Sequence, residues 1–144
     1  MSGGRYNKKI NSKHEVRNSK QIKMIKTQST KLYDLEERTF NFAKNVREFL
    51  KKLPKNIFFY EDVNQLTRSS GSVGANYIEA NESLSKKDFI MRTKICRKEA
   101  KESKYWLQLI NCDDNLILEK ERLNLIQESI ELTNIFGAIV RKSE

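Results

Sequence analysis

A single proline, Pro54, and five glycines punctuate the 144 residues of this chain, and that scarcity of turn residues constrains its fold more than any other feature. Sandwiches and barrels need a turn signal roughly every 8–12 residues. A chain so poor in them has little means of joining many short strands. Past residue 32 Glu, Leu and Lys are the commonest residues, all good helix formers. The expected class is all-α.

Four helical stretches follow from periodicity and capping. The first opens at Asp34, with Glu37 at capping-box spacing. It gathers Leu35, Phe42, Val46, Phe49, Leu50 and Leu53 into an arc of about 100° before Pro54 ends it. The second runs from about Tyr60 to Glu82, with Val63, Leu66, Ser70, Val73 and Tyr77 on one face. Ser85 and Asp88 repeat the capping signal for a third, Lys86 to about Asn111, roughly 40 Å long at 1.5 Å per residue. After a turn at Cys112-Asp113-Asp114 the fourth extends from about Asn115 to Lys142. Short connections between long helices make neighbours antiparallel, so residues 32–144 are expected to form an up-down-up-down four-helix bundle.

Residues 1–31 differ in kind. Nine basic side chains (Arg5, Lys8, Lys9, Lys13, Arg17, Lys20, Lys23, Lys26 and Lys31) face one acid, Glu15, a net +8. The rest of the chain holds 19 basic and 18 acidic groups, so nearly all of the +9 sits in this segment. Its seven apolar side chains lack sustained periodicity and are too few to offset the entropy of ordering, which predicts a disordered basic arm. Such an arm finds nucleic acid or simply keeps a protein in solution; both readings stand on the arm alone.

The third helix favours the first of these. With Lys86 at 0° and 100° per residue, Lys86, Lys87, Lys94, Arg97, Lys98, Lys101 and Lys104 fall between about 0° and 120°. Phe89, Cys96, Ala100, Ser103 and Leu107 occupy a separate core face. Met91, Ile95, Trp106 and Leu109 form a second apolar cluster at about 140–200°. A lysine-rich helix face is commonly solvation, with i,i+4 pairs such as Lys98–Glu102. Joined to the basic arm, it becomes a surface suited to phosphates. Tyr105, at about 100°, has the position to stack on an unpaired base, although packing is the commoner use of such a tyrosine.

The fourth helix also shows two apolar faces, one of Leu116, Leu123, Ile126, Ile130 and Gly137, the other of Leu118, Leu125, Leu132, Phe136 and Ile139. A bundle buries one stripe per helix, so the surplus predicts a subunit interface. Periodicity does not say which face turns inward. The expected interface set is Met91, Ile95, Trp106, Leu118, Leu125, Leu132 and Phe136.

Several classes are disfavoured. No apolar run approaches the roughly 20 residues of a membrane span, and residues 1–31 lack a signal-peptide core, so a soluble, cytoplasmic protein without membrane partners is expected. His14 is the only histidine, and Cys96 and Cys112 lie 16 apart, which suits neither a metal site nor a disulfide. No nucleophile–base arrangement or ferritin-type Glu-x-x-His repeat occurs, so no enzyme and no cofactor is expected. The Gly71-Ser72-Val73-Gly74 run has the spacing of a nucleic-acid clamp, but the helical pattern on both sides favours close helix packing.

The run Leu66-Thr67-Arg68-Ser69-Ser70-Gly71-Ser72-Val73-Gly74-Ala75-Asn76-Tyr77-Ile78-Glu79-Ala80 resembles the hallmark of a bacterial family. These are four-helix-bundle proteins encoded in intervening sequences of large-subunit ribosomal RNA genes, often called ribosomal-protein-like. Residues 34–39, 85–89, Lys98-Glu99-Ala100, Tyr105-Trp106-Leu107 and 135–140 match as well, covering about residues 33–142. The same fold family includes the accessory variability proteins of diversity-generating retroelements, which assist a reverse transcriptase and bind nucleic acid. The resemblance implies a homopentamer with a basic surface and no catalytic activity; the basic arm is not part of the family pattern.

Two function classes follow. The first is a non-enzymatic, homo-oligomeric scaffold that binds the RNA or DNA backbone and serves a ribonucleoprotein, with a reverse transcriptase as a candidate partner. Its contacts would come from Arg5, Lys8, Lys9, Lys13, Arg17, Lys20, Lys23 and Lys26 of the arm and the seven ridge residues of the third helix. The second is a structural or protein-interaction module, linked to an rRNA intervening sequence, with no direct nucleic-acid role.

Overall fold

The computed structural model describes residues 35–55 and 59–144. The basic arm expected over residues 1–31 and the Asp34 cap lie outside the described residues. Four helices make up the remainder, with no strand among the described residues: α1 over residues 35–52, α2 Tyr60–Asn81, α3 Lys86–Leu109 and α4 Leu116–Ser143. The ends fall within a residue or two of those expected, the ordinary latitude of helix termini.

Local chemistry sets these ends. Ser85 is the N-cap of α3, its hydroxyl accepting from the Asp88 amide at 3.1 Å. Asn115 does the same for α4 through the Leu118 amide at 3.1 Å. Both satisfy a backbone donor that has no partner inside the helix. Between α3 and α4 the chain reverses at Asp113, whose φ of 50° is left-handed; the Asn111 side-chain oxygen accepts from its amide at 2.8 Å and steadies the turn.

Pairings across the unit Glu36–Glu144 define which helices touch. Glu36 of α1 accepts from Asn81 of α2, and Arg47 of α1 donates to the Thr67 carbonyl. Arg38 pairs with Glu128 and Lys52 with Glu121, joining α1 to α4. Arg68 and Asn76 of α2 meet Glu99 and Arg92 of α3. Arg122 of α4 reaches the Leu107 carbonyl of α3. Each helix therefore has two neighbours, and the inner faces close on one core of Phe42, Val46, Phe49, Leu66, Val73, Tyr77, Cys96, Ala100, Leu107, Leu132, Phe136 and Val140. Tyr77 and Phe136 meet across it with ring centroids 5.6 Å apart.

The glycines of α2 serve packing. A Cβ on Gly74 would stand 3.1 Å from Thr39 Oγ1 and 3.4 Å from its Cβ, so the missing side chain is what lets α1 approach. Gly71 leaves room for the Arg47 guanidinium in the same way. The GxxG is thus a stretch of continuous helix rather than a backbone-clamping loop.

Part of the expected interface is corrected. Leu118, Leu125, Leu132 and Phe136 are all buried inside the bundle and have no surface to offer a partner. Of the other apolar face of α4, Leu116 is 83% and Leu123 52% exposed, while Ile126 and Ile130 are half-buried and Gly137 is buried; Ile117, on neither face, is 75% exposed. On α3, Met91 is exposed and Ile95 and Trp106 are half-buried, so that cluster does reach the surface.

Candidate nucleic-acid interface

The basic ridge is a consequence of where α3 finds its core. Thr93, Cys96, Ala100, Ser103 and Leu107 turn inward, and Ser103 Oγ lies 3.0 Å from Ser69 Oγ at a close crossing with α2. At 100° per residue the opposite side then presents the basic residues. Lys86, Lys87, Lys94, Lys98 and Lys101 are exposed, and Arg97 and Lys104 half-buried. Arg97 lies along α4, where its Cδ is 3.8 Å from the place a Cβ would take on Gly137. Lys87, Lys94 and Lys98 rim a shallow groove floored by Ile90, Met91 and Ile95.

The ridge's charge is left standing in part because Glu99 and Glu102 of α3 are bound to Arg68 of α2. The i,i+4 pair Lys98–Glu102, available to an isolated helix, does not form. Glu102 instead accepts from Arg68 of α2 at 2.6 Å and from the Trp106 indole at 3.3 Å. Glu99 is buried beside it and pairs with Arg68 at 3.3 Å. Burial raises the Glu99 carboxyl above its ordinary range, with Arg68 opposing. The Arg68 hydrogen bond holds Glu102 below its own range. Elsewhere Arg38 takes Glu128 and Glu131, Lys52 takes Glu121 and Arg122 takes Glu119. Of the seven ridge residues, only Lys94 forms an ion pair among the described residues, with Glu144 at 3.3 Å. Sequence reasoning placed the ridge but missed Arg68, whose partners lie 31 and 34 positions away.

Burial pushes the Cys96 thiol up to about 12 and raises Cys112 too, so neither is a nucleophile at neutral pH. Among the described residues no group of three or more His, Cys, Asp or Glu is placed to hold a metal ion. No helix among them is long and apolar enough to cross a membrane. The eight arm residues proposed for nucleic-acid contact, Arg5 to Lys26, lie outside the described residues.

Four helices around one core, with a serine- and glycine-rich second helix and a basic third, define a small all-helical protein. The chain belongs to the 23S rRNA-intervening sequence protein family, whose model matches residues 31–138. It is similar to a crystal structure of a protein of unknown function from the S23 ribosomal protein family of Bacteroides thetaiotaomicron. The two share 26% identity over 73% of this chain and 96% of that one, with a TM-score of 0.59. The comparison with curated proteins gave no match.

Proposed function

We propose that this protein is a non-enzymatic nucleic-acid-binding scaffold that grips RNA or DNA by its backbone. The observation that carries the reading is the uncompensated charge of α3: six of its seven ridge cations form no ion pair among the described residues, while Glu99 and Glu102 of the same helix are bound to Arg68. Closely spaced cations of that kind gain affinity by releasing counterions from phosphates. They fix position on a backbone and read little sequence.

The scaffold is proposed to be an up-down-up-down bundle that assembles head to tail. The contacts of Glu36 with Asn81, Asn76 with Arg92 and Lys94 with Glu144 support alternating helix directions. Unlike sets of exposed apolar residues, Met91 and Leu109 on α3 and Leu116, Ile117 and Leu123 on α4, are available for head-to-tail contacts. Unlike patches favour heterologous contacts, which close into rings, and a ring of five is the proposed state. Its place in a ribonucleoprotein, with a reverse transcriptase as partner in the retroelement version, is a question for neighbouring genes.

The deciding measurement is salt dependence. If about five to eight phosphates of a single strand are neutralised, log K against log salt should slope by about −3.5 to −5.6. The triple variant Lys94→Glu, Lys101→Glu, Lys104→Glu should bind all sequences more weakly. A flat salt response or an unchanged triple variant returns the protein to the class of structural modules without a nucleic-acid role.

A further inference from the structure

Tyr105 stands on the same face of α3 as Lys98 and Lys101, seven and four residues before it, and follows directly on Lys104. A tyrosine of a helical bundle ordinarily buries its ring, yet this residue is 55% exposed. It is nonetheless held. Its ring meets Trp106 in an edge-to-face contact, centroids 5.0 Å apart and planes at 76°. The Trp106 indole N–H donates to Glu102 Oε1, and Arg68 Nη2 donates to that same oxygen. A chain of contacts, Arg68 to Glu102 to Trp106 to Tyr105, thus runs from α2 to the surface of α3. It ends in an aromatic ring among cations that have no acid partner.

We infer that Tyr105 is a base-stacking site and that the nucleic acid on the α3 ridge is single-stranded where it crosses this residue. An unpaired base lies on the ring while Lys98 and Lys101 hold the adjoining phosphates. This rests on the nucleic-acid reading above and narrows it to a class of ligand. Cations alone do not distinguish one strand from two, since both expose phosphates. An exposed ring does, because duplex bases are already stacked on one another and only an unpaired base offers its face. Every base has such a face, so the site prefers single strands without preferring a sequence. Arg68 and Glu102 are positioning residues, acting through Trp106.

The test uses the full chain and two fluorescent probes, a short oligouridine strand and a blunt RNA duplex of equal length, read by anisotropy over a series of salt concentrations. Tyr105→Ala should weaken single-strand binding by about 5- to 150-fold, the range for loss of one aromatic stack. Duplex affinity and the salt slope should not change. Tyr105→Phe keeps the π-face and should bind as the parent does. Tyr105→Leu keeps contact with Trp106 without a π-face and should behave as the alanine variant, which separates stacking from any loss of fold. Trp106, the single tryptophan, should be quenched by oligouridine in the parent protein. Unchanged single-strand binding in the alanine and leucine variants, beside a weakened Lys94/Lys101/Lys104 variant, overturns the stacking site and leaves the ridge. An equal loss on strand and duplex also overturns it, since the residue would then be general surface. If the lysine variant too is unchanged, the nucleic-acid reading falls with it.

Discussion

Removing Arg68 tests whether the most distinctive stretch of this chain works as a brace between α2 and α3. The guanidinium reaches Glu99 at 3.3 Å and Glu102 at 2.6 Å. In Arg68→Ala the buried Glu99 carboxylate loses its cation and Glu102 keeps only the indole N–H. Stranding a buried charged partner in full costs about 3–5 kcal/mol, and an unsatisfied buried acceptor about 1–3 kcal/mol. Arg68 is itself half exposed, so water moderates the loss, and about 2 kcal/mol at pH 7 is expected. The pH dependence sharpens the test. Burial sets the Glu99 carboxyl above its ordinary range and Arg68 opposes that rise, so the variant raises it further. A carboxyl raised on folding stabilises below its unfolded pKa and loses that contribution as pH climbs through its folded value. Glu102 is lowered by Arg68, so in the parent its contribution is present above the ordinary glutamate range and fades as pH falls through the lowered value. Both effects shrink the difference between parent and variant on acidification. Urea unfolding followed through Trp106 fluorescence should show the full deficit at pH 7 and a smaller one near pH 4, as protonation removes the stranded charge. Adding Glu99→Gln should restore part of the loss. A variant as stable as the parent at pH 7, or a deficit that ignores pH, would refute the brace.

Other consequences are simpler to measure. Leu132, fully buried at the centre of α4, should cost about 2–5 kcal/mol when cut to Ala, read as an earlier urea midpoint; a mere shift in oligomeric state at unchanged stability would return it to an interface. Gly74→Ala gains about 1 kcal/mol of helix propensity but crowds Thr39 at 3.1 Å, and overpacking of about 1–3 kcal/mol should leave a net loss near 1 kcal/mol in the same assay. With both thiols buried and raised, Cys96 most of all, a thiol reagent at neutral pH should label neither until the protein is unfolded. Leu116→Asp with Leu123→Asp should leave folding intact and disperse the assembly in light scattering, because both residues already face outward.

The helices themselves were legible along the chain because their causes are local. Spacing of 3.6 residues, the single Pro54 and the side-chain oxygens of Ser85 and Asn115 act within a turn or so of where they stand. The seven basic residues of α3 were legible for the same reason, since one helix suffices to place them on one face. What a single helix cannot contain is its neighbours. α4 offers two apolar stripes of similar strength, and only packing chose Leu118, Leu125, Leu132 and Phe136 for the core and left Leu116 and Leu123 exposed. Glu102 had a lysine four residues behind it, yet it took an arginine from another helix, whose fork reaches Glu99 with one nitrogen and Glu102 with the other where Lys98 offers a mobile point charge. That choice is part of what leaves the ridge uncompensated. It also anchors Trp106 beside an exposed Tyr105, a residue whose sequence position allowed base stacking although packing is the commoner use. Periodicity is a property of one segment, whereas burial and charge compensation belong to pairs of segments, so they appear only once the helices have met.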